Sequence, residues 1–188
     1  MDYQTLQVTA PEEGIFLLTL NRPNVLNAIN SVMMLELHQF WVSLKHDTRC
    51  VILTGEGERA FCAGADLKER LDLDEKAWRE QHACLQAAML AMCQCPVPVI
   101  AAVNGYAFGG GFELALASDM IYASTKACFA LPEVRLGIMP GALGTHHLPR
   151  ACGLRRAKEW ILTGRQISAD EVLEAGVVNA LFEPPQLI

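Results

Sequence analysis

The sequence predicts an α/β domain with helices packed on β layers, on three observations. Short β-branched and apolar runs alternate with segments of helical periodicity. Glycine and proline punctuate the joins. The 188 residues, 52% of them hydrophobic, suffice for one sizeable core. No internal repeat or low-complexity segment interrupts the alternation.

Gly14 to Leu20 (GIFLLTL) is a β-favouring run that ends in the turn cluster Asn21-Arg22-Pro23-Asn24. A helix follows. Asn30 or Ser31 can cap it, and Met34, Leu35, Leu37, His38, Trp41, Val42 and Leu44 recur at roughly helical spacing. Cys50 to Thr54 (CVILT) reads as a buried parallel-type strand, because β-branched and apolar residues run on without alternation. The turn-rich segment after Gly55 leads into a helix from about Glu75 to Cys93. Pro96 and Pro98 then exclude helix, and Val97 to Val103 reads as another buried strand.

Glycines 109–111 precede a helix over Phe112 to Ser118, followed by extended pieces at Met120 to Ala123 and Cys128 to Leu131. Leu154 to Thr163 is helical. Ser168 to Ala175 is a capped helix of S-x-x-E form, with Gly176 as its C′ residue.

Bulk properties exclude several function classes. A net charge of -6 gives no global positive field for a phosphate backbone, so no nucleic-acid partner is expected. The cluster Arg150, Arg155, Arg156 and Lys158 reads as a solvated helix face. The N-terminus, MDYQTLQVTAPEEG, has neither a secretory nor a transit pattern, and a cytoplasmic protein is expected. The longest strongly apolar stretch, 97–103, falls far short of the roughly 20 residues of a membrane span. Seven cysteines, an odd number without paired CxxC units, read as reduced and mostly buried thiols. His146-His147 without a third ligand is not expected to hold a metal.

Three constellations can carry chemistry. Gly109-Gly110-Gly111, leaving a strand for a helix, exposes backbone N–H groups that a ligand could approach closely to stabilise an oxygen anion, or it only permits tight helix–strand packing. Phe61-Cys62-Ala63-Gly64-Ala65-Asp66-Leu67, a small-residue loop after a parallel strand, could supply a second donor at Ala65, or it is an ordinary turn. Glu113 and Glu133 both lie in apolar sequence, where burial raises a carboxyl pKa and coupled acids can divide into donor and base. Alternatively Glu113 complements a helix dipole and Glu133 pairs with Arg135.

These residues together carry a resemblance. Asn21-Arg22-Pro23 with Leu26-Asn27-Ala28, then Phe61 to Lys68, then Asn104 to Ala115, resemble in order and spacing the enoyl-CoA hydratase/isomerase (crotonase) superfamily. The likeness continues through Ala130-Leu131-Pro132-Glu133 and Gly137 to Gly141 to Leu162-Thr163-Gly164, so it covers nearly the whole chain.

The resemblance implies a ββα spiral, with repeated β-β-α turns, two β layers and surrounding helices. It also implies coenzyme A bound as part of the substrate with no separate cofactor, and assembly as homotrimers or homohexamers. By the same resemblance the N–H groups of Ala65 and Gly110 form an oxyanion hole for the thioester oxygen. Glu113 positions and deprotonates water, and Glu133 delivers a proton to Cα. Ala28, Ala63, Ala65, Asp66, Leu67, Lys68 and Gly110 contact the CoA or substrate. Retention of both glutamates favours enoyl-CoA hydration. An isomerase, a carnitinyl-CoA dehydratase-like enzyme with a branched or charged acyl group, and a non-catalytic acyl-CoA-binding relative are the alternatives.

The chain departs from the familiar pattern in two places. Asn24 stands where a basic residue is common, and Leu143 with His146-His147 replaces a Gly-Gly-Thr-Gln-Arg run. The family ordinarily continues into C-terminal helices, so residues 1–188 are expected to form the spiral core without that lid and trimerisation segment.

Overall fold

The computed structural model describes residues 2–71 and 73–188. The chain opens with β1 (Leu6–Glu12) and β2 (Ile15–Leu20), an antiparallel pair. α1 (Ser31–Val42) starts at Asn30, whose side chain accepts the Met33 N–H and so satisfies a helix-end donor. β3 (Cys50–Gly55), β4 (Ala60–Cys62) and the short α2 (Leu67–Arg70) lead to α3 (Glu75–Cys93), capped by Asp74. Then come β5 (Val99–Val103), β6 (Tyr106–Phe108) and α4 (Gly110–Leu116). β7 (Met120–Ser124) and β8 (Cys128–Ala130) end in a 3-10 turn, Pro132–Leu136. α5 (Gly144–Cys152), α6 (Leu154–Thr163), β9 (Ile167–Ser168), α7 (Ala169–Glu174) and β10 (Ala180–Phe182) complete the chain.

The expected α/β class is the class observed. One sheet runs β1-β2-β3-β5-β7-β10, parallel beyond β2. The other runs β4-β6-β8-β9, with only β9 antiparallel. Each turn of chain places one strand in the larger sheet and the next in the smaller: β3 then β4, β5 then β6, β7 then β8. The first two turns each continue into helix, giving the β-β-α repeat. Phe61, Phe112, Phe129, Leu18, Leu53 and Trp160 are fully buried in one continuous apolar cluster.

Several elements differ from their sequence-based bounds. β5 begins at Val99 because Pro98 has no N–H for the ladder, although its carbonyl still accepts the Val51 N–H at 3.0 Å. α4 begins at Gly110, two residues before the expected Phe112. β1, β4, α2, β6, α5, β9 and β10 add to the elements expected. Of the seven cysteines, all free, only Cys62 is buried. Cys93 is exposed and the other five are half-buried, so burial of most thiols was overestimated. Among the described residues no helix is long and apolar enough to cross a membrane.

Asn27 fixes the path from β2 toward the site. It is fully buried at a left-handed φ of 55°; its Nδ2 donates to the carbonyls of Glu56 and Ala60, and its Oδ1 accepts the Arg22 N–H. Asn27→Ala is expected to cost roughly 2–4 kcal/mol in denaturant unfolding, through three lost bonds and buried groups left unpaired. Asn27→Gly relieves the backbone strain yet should recover less than half of that, which separates hydrogen bonding from conformation.

Candidate active site

The site grows from a close backbone contact. After β6 the chain passes through Gly109 at φ 50° and ψ -125°, where a side chain would be strained and an added Cβ would come 3.0 Å from Glu133 Oε1. Gly111 is tighter still: a Cβ there would lie 2.0 Å from the Cys62 carbonyl oxygen. Only glycine lets α4 press onto the end of β4. The loop Ala63-Gly64-Ala65 consequently lies against the first turn of α4. A Cβ built on Gly110 would sit 3.8 Å from the Ala65 nitrogen, and one on Gly64 would sit 3.2 Å from the Gly110 nitrogen.

Ala65 bridges Ile29 in parallel fashion: the Ile29 N–H donates to the Gly64 carbonyl at 2.8 Å, and the Asp66 N–H donates to the Ile29 carbonyl at 2.9 Å. In that pattern the N–H of Ala65 itself turns away from Ile29. The Gly110 N–H, at the first position of α4, has no intrahelical acceptor. Both residues line a cavity of about 520 Å³, together with Glu113 and Glu133.

Both glutamates are buried, 3% and 8% exposed, and their surroundings differ. Glu113 Oε1 accepts the Ala142 N–H at 2.8 Å and the Gly144 N–H at 2.7 Å. Those donors belong to a turn with Leu143 at a left-handed φ of 79°. Burial raises the Glu113 pKa, and the amides of Gly144, Ala142 and Gly141 offset part of that rise. Glu133, on the 3-10 turn, has a buried Oε2 with no hydrogen-bond partner among the described residues. Burial, with the repulsion of Glu113 as a smaller contribution, pushes its pKa up to about 7. The expected alternative of a Glu133–Arg135 ion pair is not realised: no such bridge forms among the described residues, and the Arg135 Nε lies beside Gly164. Glu113 does more than complement a helix end, since its carboxylate ties α4 to the turn before α5.

Of the residues expected to contact CoA or substrate, Ala63, Ala65, Leu67 and Gly110 line the cavity with the two glutamates. Ala28, Asp66 and Lys68 stand outside that lining. Asp66 pairs with Arg22 at 2.9 Å, and Arg22 also donates to the Ala28 carbonyl at 2.6 Å, so these residues brace the loop from behind. Lys68 is exposed. The sequence reading missed the opposite wall: Arg70 of α2, and Trp78, His82 and Gln86 of α3. The rings of Trp78 and His82 stack at 5.2 Å and 8°. It also missed the Ala142 and Gly144 amides, for which Gly141-Ala-Leu-Gly144 was the available signal. His146 and His147 sit on α5, outside this cavity.

Comparison with known proteins identifies the family and the fold. The family model described as enoyl-CoA hydratase/isomerase matches residues 10–188. YngF of Bacillus subtilis (strain 168), whose name provisionally assigns it enoyl-CoA hydratase/isomerase activity, is 46% identical over 96% of this chain and 70% of its own length. The crystal structure of an enoyl-CoA hydratase from Bacillus anthracis superimposes with a TM-score of 0.95 at 43% identity, covering 98% of this chain and 72% of that one. A Thermobifida fusca YX structure in complex with CoA gives a TM-score of 0.90 at 31% identity, over 97% of this chain and 74% of that one. The chain belongs to the enoyl-CoA hydratase/isomerase family.

The raised pKa of Glu133 has a stability consequence. Its carboxyl is neutral below the ordinary value of 4.5 in folded and unfolded chains alike. Between 4.5 and about 7 the unfolded chain ionises while the folded one holds its proton, so folding loses stability as pH rises through that window. Glu133→Gln should therefore match the wild type near pH 4 and exceed it above pH 7, by on the order of 1–3 kcal/mol in denaturant unfolding. An equal offset at both pH values would contradict the assignment.

Proposed function

We propose that this member of the enoyl-CoA hydratase/isomerase family adds water reversibly to a trans-2-enoyl-CoA, giving the 3-hydroxyacyl-CoA. The observation that carries the reading is the joint placement of two differently tuned glutamates and two backbone amide positions in one cavity. The thioester oxygen sits between the N–H groups of Ala65 and Gly110. As the β-carbon is attacked, charge moves onto that oxygen, and donors already aimed at it strengthen their bonds without reorganising.

Glu113, with Oε1 held by two amides, keeps its second oxygen for a water molecule. It takes a proton as the water oxygen bonds to Cβ. Glu133, which keeps its proton to about pH 7, gives it to Cα. The proton on Glu113 returns to Glu133 through solvent exchange after product leaves, and the cycle closes with water consumed and nothing else. Ala63, Ala65, Leu67 and Gly110 contact the CoA-bearing arm, Ala28 and Asp66 support that loop, and the exposed Lys68 is free to meet the CoA from solvent. The CoA-bound relative supports an acyl-CoA ligand. Assembly as trimers or paired trimers in the cytoplasm completes the reading. It is supported by apolar side chains exposed on helices, among them Leu35, Val42, Leu90, Leu154 and Leu162.

Crotonyl-CoA should lose its conjugated thioester absorbance and yield 3-hydroxybutyryl-CoA. Glu113→Gln and Glu133→Gln should each lower kcat by roughly 10²–10⁴-fold. In the hydration direction kcat/KM should fall above about pH 7, where Glu133 loses its proton, and fall again at acid pH as Glu113 gains one. A shifted double bond without hydroxylated product would make the chain an isomerase. Full turnover by both variants would remove the two glutamates from the mechanism.

A further inference from the structure

Among the described residues Arg70 supplies the one permanent cation in the cavity lining. Among the described residues the acid whose charge acts on it is Glu69, and Glu69 Oε2 accepts the Ser31 N–H at 2.9 Å and the Gln81 Nε2–H at 2.9 Å. Gln81 is buried and also donates to Ser31 Oγ at 3.0 Å, and its Oε1 accepts the Arg70 Nε–H at 2.9 Å. That relay holds the guanidinium by Nε. No carboxylate among the described residues lies within ion-pair reach of Nη1 or Nη2.

A half-buried guanidinium held by one edge, its fork facing no carboxylate among the described residues, fits a planar anion that arrives with the ligand. Gly141 adjoins Ala142, whose amide holds Glu113, and a Cβ on Gly141 would meet His82 Cε1 at 2.9 Å. His82 in turn feels the charge of Arg70. Arg70, His82, Gly141 and Ala142 line the same cavity as Ala65, Gly110 and the two glutamates.

We propose that Arg70 is a specificity-determining residue that binds a carboxylate at the distal end of the acyl group, so that the preferred substrate is a 2-enoyl-CoA whose chain ends in a carboxylate. Trp78 and Leu85 flank the apolar part of such a chain. Burial, and then the charge of Arg70, lower the pKa of His82, so it meets the ligand as a neutral hydrogen-bonding ring. The proposal rests on the acyl-CoA reading of the cavity and extends it to the substrate class.

Calorimetric binding of glutaryl-CoA and butyryl-CoA, saturated thioesters that cannot be hydrated, tests the proposal apart from turnover. The wild type should bind glutaryl-CoA roughly 10- to 100-fold more tightly, as a charge-assisted bidentate pair would give. Arg70→Met should erase the preference, and Arg70→Lys should restore part of it. Absence of preference in the wild type overturns the proposal even if Arg70→Met does not fold. Equal weakening of both ligands by Arg70→Met also overturns it and moves the guanidinium onto a CoA phosphate. A binding preference without hydration of either glutaconyl-CoA or crotonyl-CoA would uphold the carboxylate site and contradict the hydratase reading instead.

Discussion

The approach of α4 to the end of β4 governs the rest of the site. At Gly111 the two backbones leave no room for a Cβ, which would lie 2.0 Å from the Cys62 carbonyl oxygen. Gly64 meets a similar limit 2.7 Å from the Phe108 carbonyl oxygen. These two absences of side chain bring the Ala63–Ala65 loop and the first turn of α4 together from different turns of the spiral. They also set where Glu113 emerges, two residues after Gly111. Shifting α4 outward to admit a methyl group would separate the amides of Ala65 and Gly110 and draw Glu113 away from Ala142 and Gly144.

Two similar acids acquire different character from their neighbours. Glu113 is buried and compensated by backbone donors from another segment, which also fixes its orientation. Glu133 is buried with one oxygen unpaired, beside a like charge. An unpaired buried oxygen is costly to a fold and useful to a reaction, because it holds a proton near neutrality. The Leu143 turn adds strain of the same kind, a non-glycine residue in the left-handed region that aims two amides at one carboxylate oxygen.

Much of this was legible in the residues. α3 and α6 occupy their predicted ranges, Asn30 rather than Ser31 of the two candidates caps α1, Ser168 caps α7 as expected, and Gly176 takes its C′ role at φ 74°. These features are local, fixed by periodicity and capping chemistry. β1 was not legible because it is an edge strand with only Leu6 buried, and Pro11 with Glu12 mask its pattern. α5 was hidden by Pro149 within it and by its start at a left-handed Leu143. In the small sheet β8 falls within the extended piece expected at Cys128 to Leu131, while β4, β6 and β9, of two or three residues each, are too short for a period to show. In the site, both glutamates and the glycine run announced themselves. Arg70 and its relay through Gln81, Glu69 and Ser31 did not, since that chain joins residues 50 positions apart and exists only after folding.

The account comes down to one placement: a thioester carbonyl between two backbone amides, with its Cα and Cβ between two glutamates. A crystal structure of the chain with a slowly reacting acyl-CoA thioester reads that placement directly. The account predicts the carbonyl oxygen at about 2.7–3.2 Å from both the Ala65 and Gly110 nitrogens, with Glu113 and Glu133 flanking the α and β carbons. A thioester bound elsewhere, or a carbonyl bonded to neither amide, would contradict it.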